Sequence, residues 1–264
     1  MRKRFLSLIL IGMTAPLPAL ATPQCDVAPI DSSLTETRRA DQLATRAFSC
    51  LKAGKPIQAI ADFSELIGID PEHAQAYLNR GSTYVRLGEF DAGLSDYSRV
   101  IALAPERFEG WYNRGSARVA ALQYDEAIVD LTEAIKIRPD LGYAYCNRGL
   151  SYLRKMEPEK ALADFEKGLD LRVDMPLCYY GRGEIALSDG NYRAAINDLT
   201  RGINFKPTVL ALIQRATAYE KLGDIDSALR DYRSALALQP ESKEAQAGVV
   251  RLSQRSNSNQ EIDQ

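Results

Sequence analysis

The chain has 264 residues, 45% apolar and 26% charged, an ordinary globular balance that excludes a disordered polymer. Its formal charge is −2 with a single histidine. That excludes the basic footprint nucleic acid requires and the polybasic patch an anionic membrane requires.

Residues 1–21 read as a secretory leader. Arg2, Lys3 and Arg4 make a basic start. Phe5 to Met13 form an apolar run too short to span a bilayer, and Pro16, Pro18 and Ala19-Leu20-Ala21 supply a breaker-rich, small-residue end. Cleavage after Ala21 takes three of the 33 bases and leaves 30 against 35 acids, a charge of −5. The expected location is periplasmic or secreted, with no membrane insertion once the leader is gone. Residues 22–39 carry the chain into its first helix, with Ser33 and Glu36 read as a capping box.

From Ala40 the chain repeats itself. Asn79-Arg80-Gly81 returns as Asn113-Arg114-Gly115 and Asn147-Arg148-Gly149, each copy 34 residues after the last. Six copies fit this frame: 40–73, 74–107, 108–141, 142–175, 176–208 and 209–242, the last starting one residue early. Places in a copy are numbered here as slots 1 to 34. Slot 8 is Ala47, Gly81, Gly115, Gly149, Gly183 and Ala216. Slot 20 is Ala59, Gly93, Ala127, Ala161, Ala195 and Ala228. Large residues fill slot 4 (Leu43, Tyr77, Trp111, Tyr145, Tyr179, Leu212) and slot 24 (Phe63, Tyr97, Leu131, Phe165, Leu199, Tyr232). Slots 4, 8 and 11 share one helical stripe, as do 20, 24 and 27, so each copy predicts two amphipathic helices. Small residues at 8 and 20 let the two backbones approach where they cross. Proline at slot 32 (Pro71, Pro105, Pro139, Pro207 and Pro240, with Val173 the exception) ends the second helix. Pro56 and Pro158 open it.

This pattern resembles the tetratricopeptide repeat family, from Ala40 to about Pro240. The resemblance implies an all-α, right-handed α-solenoid of helix-turn-helix repeats with a concave and a convex face. Residues 241–254, with Ala245, Val249 and Leu252 on one stripe, are the expected C-terminal capping helix, and the polar residues 255–264 a disordered tail.

Two slots are invariant and charged. Slot 7 is arginine in every copy (Arg46, Arg80, Arg114, Arg148, Arg182, Arg215) and slot 23 is aspartate (Asp62, Asp96, Asp130, Asp164, Asp198, Asp231). Both lie at the edge of their buried stripe. They predict half-exposed structural ion pairs, within or between repeats, each contributing about 0–1 kcal/mol. Slot 6 holds Asn79, Asn113 and Asn147, flanked by Thr45, Gly181 and Gln214, on the side away from the buried stripe. In the family that side lines the concave groove, where a ladder of asparagines bonds the backbone of an extended peptide; an amide suits this because it donates and accepts. Tyr112, Tyr143 and Tyr180 are the expected aromatic contacts of the same face. Slots 2, 5 and 6 contain no lysine or arginine, so a partner's terminal carboxylate is not the determinant.

In an oxidising compartment the four cysteines suggest bridges. Cys25 with Cys50 would tie the segment at 22–39 to the first helix of the first copy; Cys146 and Cys178 are equally compatible with a bridge and with two free thiols. His73, in a connection between copies, reads as a solvated loop residue, and no catalytic, metal or phosphate-binding constellation accompanies it. The sequence thus points to a non-catalytic adaptor without cofactor, holding an extended segment of a partner protein in the cell envelope. The alternative is a self-associating scaffold subunit of an envelope complex.

Overall fold

The computed structural model describes residues 25, 30, 33–172 and 174–262, with side chains through 254. The expected leader at 1–21 lies outside the described residues. Among those described there are thirteen helices and no strand. They fall into two units, divided after Pro139.

Unit 1 contains α1 (Glu36–Lys52), α2 (Pro56–Ile69), α3 (Ala74–Leu87), α4 (Phe90–Leu103), α5 (Phe108–Ala120) and α6 (Tyr124–Ile137). Successive helices pack as antiparallel pairs, and each pair packs on the next. The reason is the stripe pattern. Leu43, Ala47, Ala59 and Phe63 are fully buried where α1 crosses α2. Gly115 shows how close such crossings are: a Cβ there would come within 2.7 Å of Leu131 Cγ. The first helix begins at Glu36, with Thr35 rather than Ser33 as its cap, accepting from Arg38 N. His73 also differs from expectation. It is the N-cap of α3, and its Nδ1 accepts from the Ala76 amide at 3.0 Å. It therefore satisfies one of the amides that a helix start leaves open.

Unit 2 contains α7 (Gly142–Arg154), α8 (Pro158–Leu171), α9 (Pro176–Ser188), α10 (Tyr192–Phe205), α11 (Val209–Lys221), α12 (Ile225–Leu238) and α13 (Lys243–Ile262). The last helix covers the final pair: Ala245 and Leu252 are fully buried and Val249 packs on the cluster around Tyr232. Arg251 grips Glu220 of α11 through two hydrogen bonds of 3.0 and 2.7 Å. The backbone stays helical to Ile262, past the expected end at Gln254 and into the stretch read as a disordered tail. Once the packed stripe has nucleated a helix, each added residue gains a bond at little cost.

Within every pair the turn passes through a left-handed residue at slot 15. Gly54, Gly88, Gly190 and Gly223 take φ of +71° to +85°, and Leu122 and Met156 are held at 62° and 61°.

Candidate functional site

All six slot 7 arginines are forked onto the slot 23 aspartate of their own pair. Nε bonds one carboxylate oxygen and Nη2 the other, at 2.7 to 3.0 Å. The expectation of half-exposed pairs is corrected here. Each aspartate is buried, and the arginine side chains are only 15–29% exposed. The cause is the closeness of the two helices, which drops the short carboxylate into the crossing while the arginine stem runs along apolar surface. Hydrogen bonds to Asp96, Asp198 and Asp231 raise the Arg80, Arg182 and Arg215 guanidinium pKa values, against the burial that lowers them.

A further contact was not read from the sequence. The remaining nitrogen, Nη1, reaches the hydroxyl at slot 25 of the preceding pair: Arg80 to Ser64, Arg114 to Ser98 and Arg215 to Thr200, each at 2.9 Å. Each of these arginines therefore ties its own pair together and holds the previous one. The signal was present in the row of hydroxyls at slot 25. Slot 4 aromatics complete the setting, with Arg80 over Tyr77 at 5.5 Å and Arg114 over Trp111 at 5.3 Å.

On unit 1 the first helices α3 and α5 present Asn79 and Asn113 half-buried, in the same slot of adjacent pairs. Gln75, one turn before Asn79, donates to Asn79 Oδ1 at 3.1 Å. Arg107, in the α4–α5 connection, donates to Gln75 Oε1 at 3.0 Å. Asn113 has no side-chain hydrogen bond among the described residues. Tyr112 is half-buried beside it. Below this face the buried Tyr97 hydroxyl donates to Ser82 Oγ at 3.0 Å, and burial pushes its pKa up to about 12.

Unit 2 treats the same slots differently. Asn147 is buried at 6% exposure and has partners of its own. Gly181, the next slot 6 residue, faces the core: any Cβ there would overlap the Phe165 ring. Tyr180 is not the exposed contact expected of it. It is buried, and its hydroxyl donates to the Gly202 carbonyl at 2.9 Å and meets the Lys206 carbonyl, which secures the end of α10. Burial pushes its pKa up to about 12. Tyr143 is half-buried, with the Arg172 guanidinium 5.1 Å from its ring centre. A disulfide between Cys146 and Cys178 joins α7 to α9, and both sulfurs are buried. In unit 1 the second disulfide, Cys25 to Cys50, ties the segment before α1 to α1. No group of histidine, cysteine and acidic side chains that could hold a metal occurs among the described residues.

Comparison with known proteins adds to this geometry. A tetratricopeptide repeat model matches residues 74–107, a TPR repeat model 123–155, and the model of the ETO1 C-terminal domain 144–261. No curated relative matches the chain by sequence. Among solved structures, Pseudomonas aeruginosa PilF superposes with a TM-score of 0.71 at 21% identity, over 80% of this chain and 97% of that one. PilW, described as a type IV pilus biogenesis factor, gives 0.68 at 18% identity over 79% and 97%. YrrB, described as a TPR protein with an unusual peptide-binding site, gives 0.53 at 19% over 70% and 96%. At these identities the likeness speaks for the fold. The repeat matches show tetratricopeptide repeats at residues 74–107 and 123–155, and the superpositions show that the chain shares the fold of proteins described as tetratricopeptide repeat proteins.

Proposed function

We propose that this chain is a non-catalytic interaction adaptor that holds an extended segment of a partner protein against α3 and α5 of unit 1. The observation that carries this reading is the pair of half-buried amides, Asn79 and Asn113, in one slot of adjacent helices. No packing need explains asparagine there, since it is a poor helix former. A peptide main chain offers alternating donors and acceptors, and a primary amide can meet either. Tyr112 adds apolar area with a polar tip beside Asn113.

The cell envelope is the location we infer, periplasmic or secreted. Two disulfides fit an oxidising compartment, and the basic-apolar-small order of residues 1–21 fits a leader. No helix of the described residues is long and apolar enough to cross a membrane. That PilF and PilW share this fold, and that PilW is described as a pilus biogenesis factor, lends support to an envelope role.

The test is photo-crosslinking in cells from a reactive residue at position 113, with the exposed position 129 on α6 as control. A foreign protein joined only from 113 is the expected result. Adducts between copies of the chain would replace the adaptor with a self-associating scaffold, and no adduct would sink the binding face. With the partner in hand, Asn113→Ala should weaken binding by about 0.5–1.5 kcal/mol and leave the fold intact.

A further inference from the structure

Three side chains of unit 1 form a line of hydrogen bonds that ends at the proposed face. Arg107 Nη2 donates to Gln75 Oε1 at 3.0 Å and lies 3.4 Å from Glu109 Oε1. Gln75 Nε2 donates to Asn79 Oδ1 at 3.1 Å. The order of these bonds is forced. A guanidinium donates and never accepts. The end of Gln75 that meets Arg107 must therefore be its oxygen, which turns its NH2 toward Asn79. That NH2 donates to Asn79, which turns Oδ1 toward Gln75 and Nδ2 away. The two ends of an amide have nearly the same shape, and only the surrounding network decides which way each points. Here one arginine decides for both. Asn113 carries no such constraint from the described residues. One rung is fixed, and the next is free to turn.

We infer that Arg107, acting through Gln75, sets the hydrogen-bond polarity of the face: it presents Asn79 as a donor, so the bound segment places an acceptor there. This rests on the peptide-binding reading above and adds the chemistry of the first contact. The acceptor is an oxygen, either a main-chain carbonyl or a side-chain carboxylate. In an extended strand successive carbonyls point to opposite sides. A fixed donor at Asn79 therefore selects which residues of the segment face α3, and the free amide of Asn113 accommodates either a donor or an acceptor farther along the segment. Arg107 and Gln75 are positioning residues, since neither has to touch the partner.

The probe is a fluorescein-labelled peptide selected from a random linear library on the immobilised full chain. Gln75→Glu keeps the shape and still accepts from Arg107, but has only oxygens. It forces Asn79 to turn Nδ2 inward and present Oδ1. The expected result is an unchanged thermal midpoint, slower exchange of the Asn79 side-chain amide protons with water, and peptide affinity lower by about tenfold. Arg107→Lys, which keeps a donor, should retain affinity that Arg107→Met loses. Raised salt should weaken the contact if the acceptor is a carboxylate and leave it if it is a carbonyl. Full affinity in Gln75→Glu and Arg107→Met, with Asn79→Ala still weakened, would overturn the relay and spare the face. A peptide indifferent to both Asn79→Ala and Asn113→Ala, or failure to select any peptide, would overturn the face and the relay with it.

Discussion

The two units share one sequence frame and differ in what slot 6 does. In unit 1 it puts two half-buried amides on α3 and α5. In the first two pairs of unit 2 it is closed: Asn147 is buried, Gly181 has no room for a Cβ, and the neighbouring Tyr180 is taken up by the carbonyls at the end of α10, while Gln214 on α11 is half-buried. The cross-link lies beside the difference. Cys146 and Cys178 pin α7 to α9, where unit 1 has Leu78 and Gly110 in the same slots. A slot in a repeat fixes a direction on its helix; the distance to the next helix decides whether that direction is open.

The disulfides offer the largest handle on this comparison. Each closes a loop of similar length, with sequence separations of 32 and 25, so removing either should cost about 3–4 kcal/mol. The place of the damage should differ. Cys146→Ser with Cys178→Ser should loosen α7 and α9 and raise amide exchange across both, while Cys25→Ser with Cys50→Ser should fray α1 alone. Trp111, the only tryptophan, lies in unit 1 and lets fluorescence follow that unit separately from the circular dichroism of the whole. Equal protection of α9 in both double variants would end the account of unit 2 as a bridged unit.

The ion pairs come next. Arg80→Ala strands Asp96 in the α3–α4 crossing and should cost about 3 kcal/mol, because a buried charge left without its partner is not compensated. Arg182→Ala should cost less, since that arginine is 29% exposed against 18% for Arg80, and water can partly replace it. Urea unfolding of both variants checks the order. A smaller loss at Arg80 would mean that burial is not what sets the value of these pairs.

Alkaline titration probes one buried hydroxyl in each unit. Tyr97 and Tyr180 both have pKa values raised from 10.0 to about 12. Below about pH 10 both states are neutral and nothing changes. Between about 10 and 12 the unfolded chain loses these protons and the folded one keeps them, so stability falls with rising pH. Each tyrosine should remove about 2–3 kcal/mol by about pH 12. Tyr180→Phe should flatten the fall in circular dichroism midpoint and leave that of Trp111 fluorescence unchanged. An identical slope in the variant would mean that Tyr180 ionises freely.

Much of the fold was legible, because packing periodicity leaves its mark on every copy. The small residues at slots 8 and 20, the large ones at 4 and 24, and the prolines define helix pairs without any coordinates. The partnership of slots 7 and 23 was legible as well, since charge complementarity repeats with the frame. Burial was harder to read. The aspartates lie deeper than an edge position suggests, and Tyr180 and Asn147 turned inward, because depth depends on what the neighbouring helix presents and not on the slot alone. Contacts between pairs were missed for a related reason. Ser64, Ser98 and Thr200 sit on second helices, and their arginine partners belong to the following copy; Arg107 and Gln75 sit at opposite ends of one copy, 32 residues apart in sequence.

The smallest effect should run toward greater stability. Slot 15 is left-handed in every pair, and four pairs use glycine there. Unit 1 has Leu122 in that place and unit 2 has Met156, 65% and 85% exposed. A side chain in this region places its Cβ against the following carbonyl at a cost of about 1–2 kcal/mol. Glycine removes that strain but leaves a freer unfolded chain, which returns about 0.5–1 kcal/mol of the gain. Leu122→Gly and Met156→Gly should each stabilise the chain by about 0.5–1 kcal/mol, read as a higher urea midpoint. Neither side chain is buried, so little packing is lost to offset the change. With the local turn the same in both units, the two gains should match, in contrast to the unequal losses at the arginines. A gain in one unit only would show that the turns, and not just the faces of the first helices, differ between them.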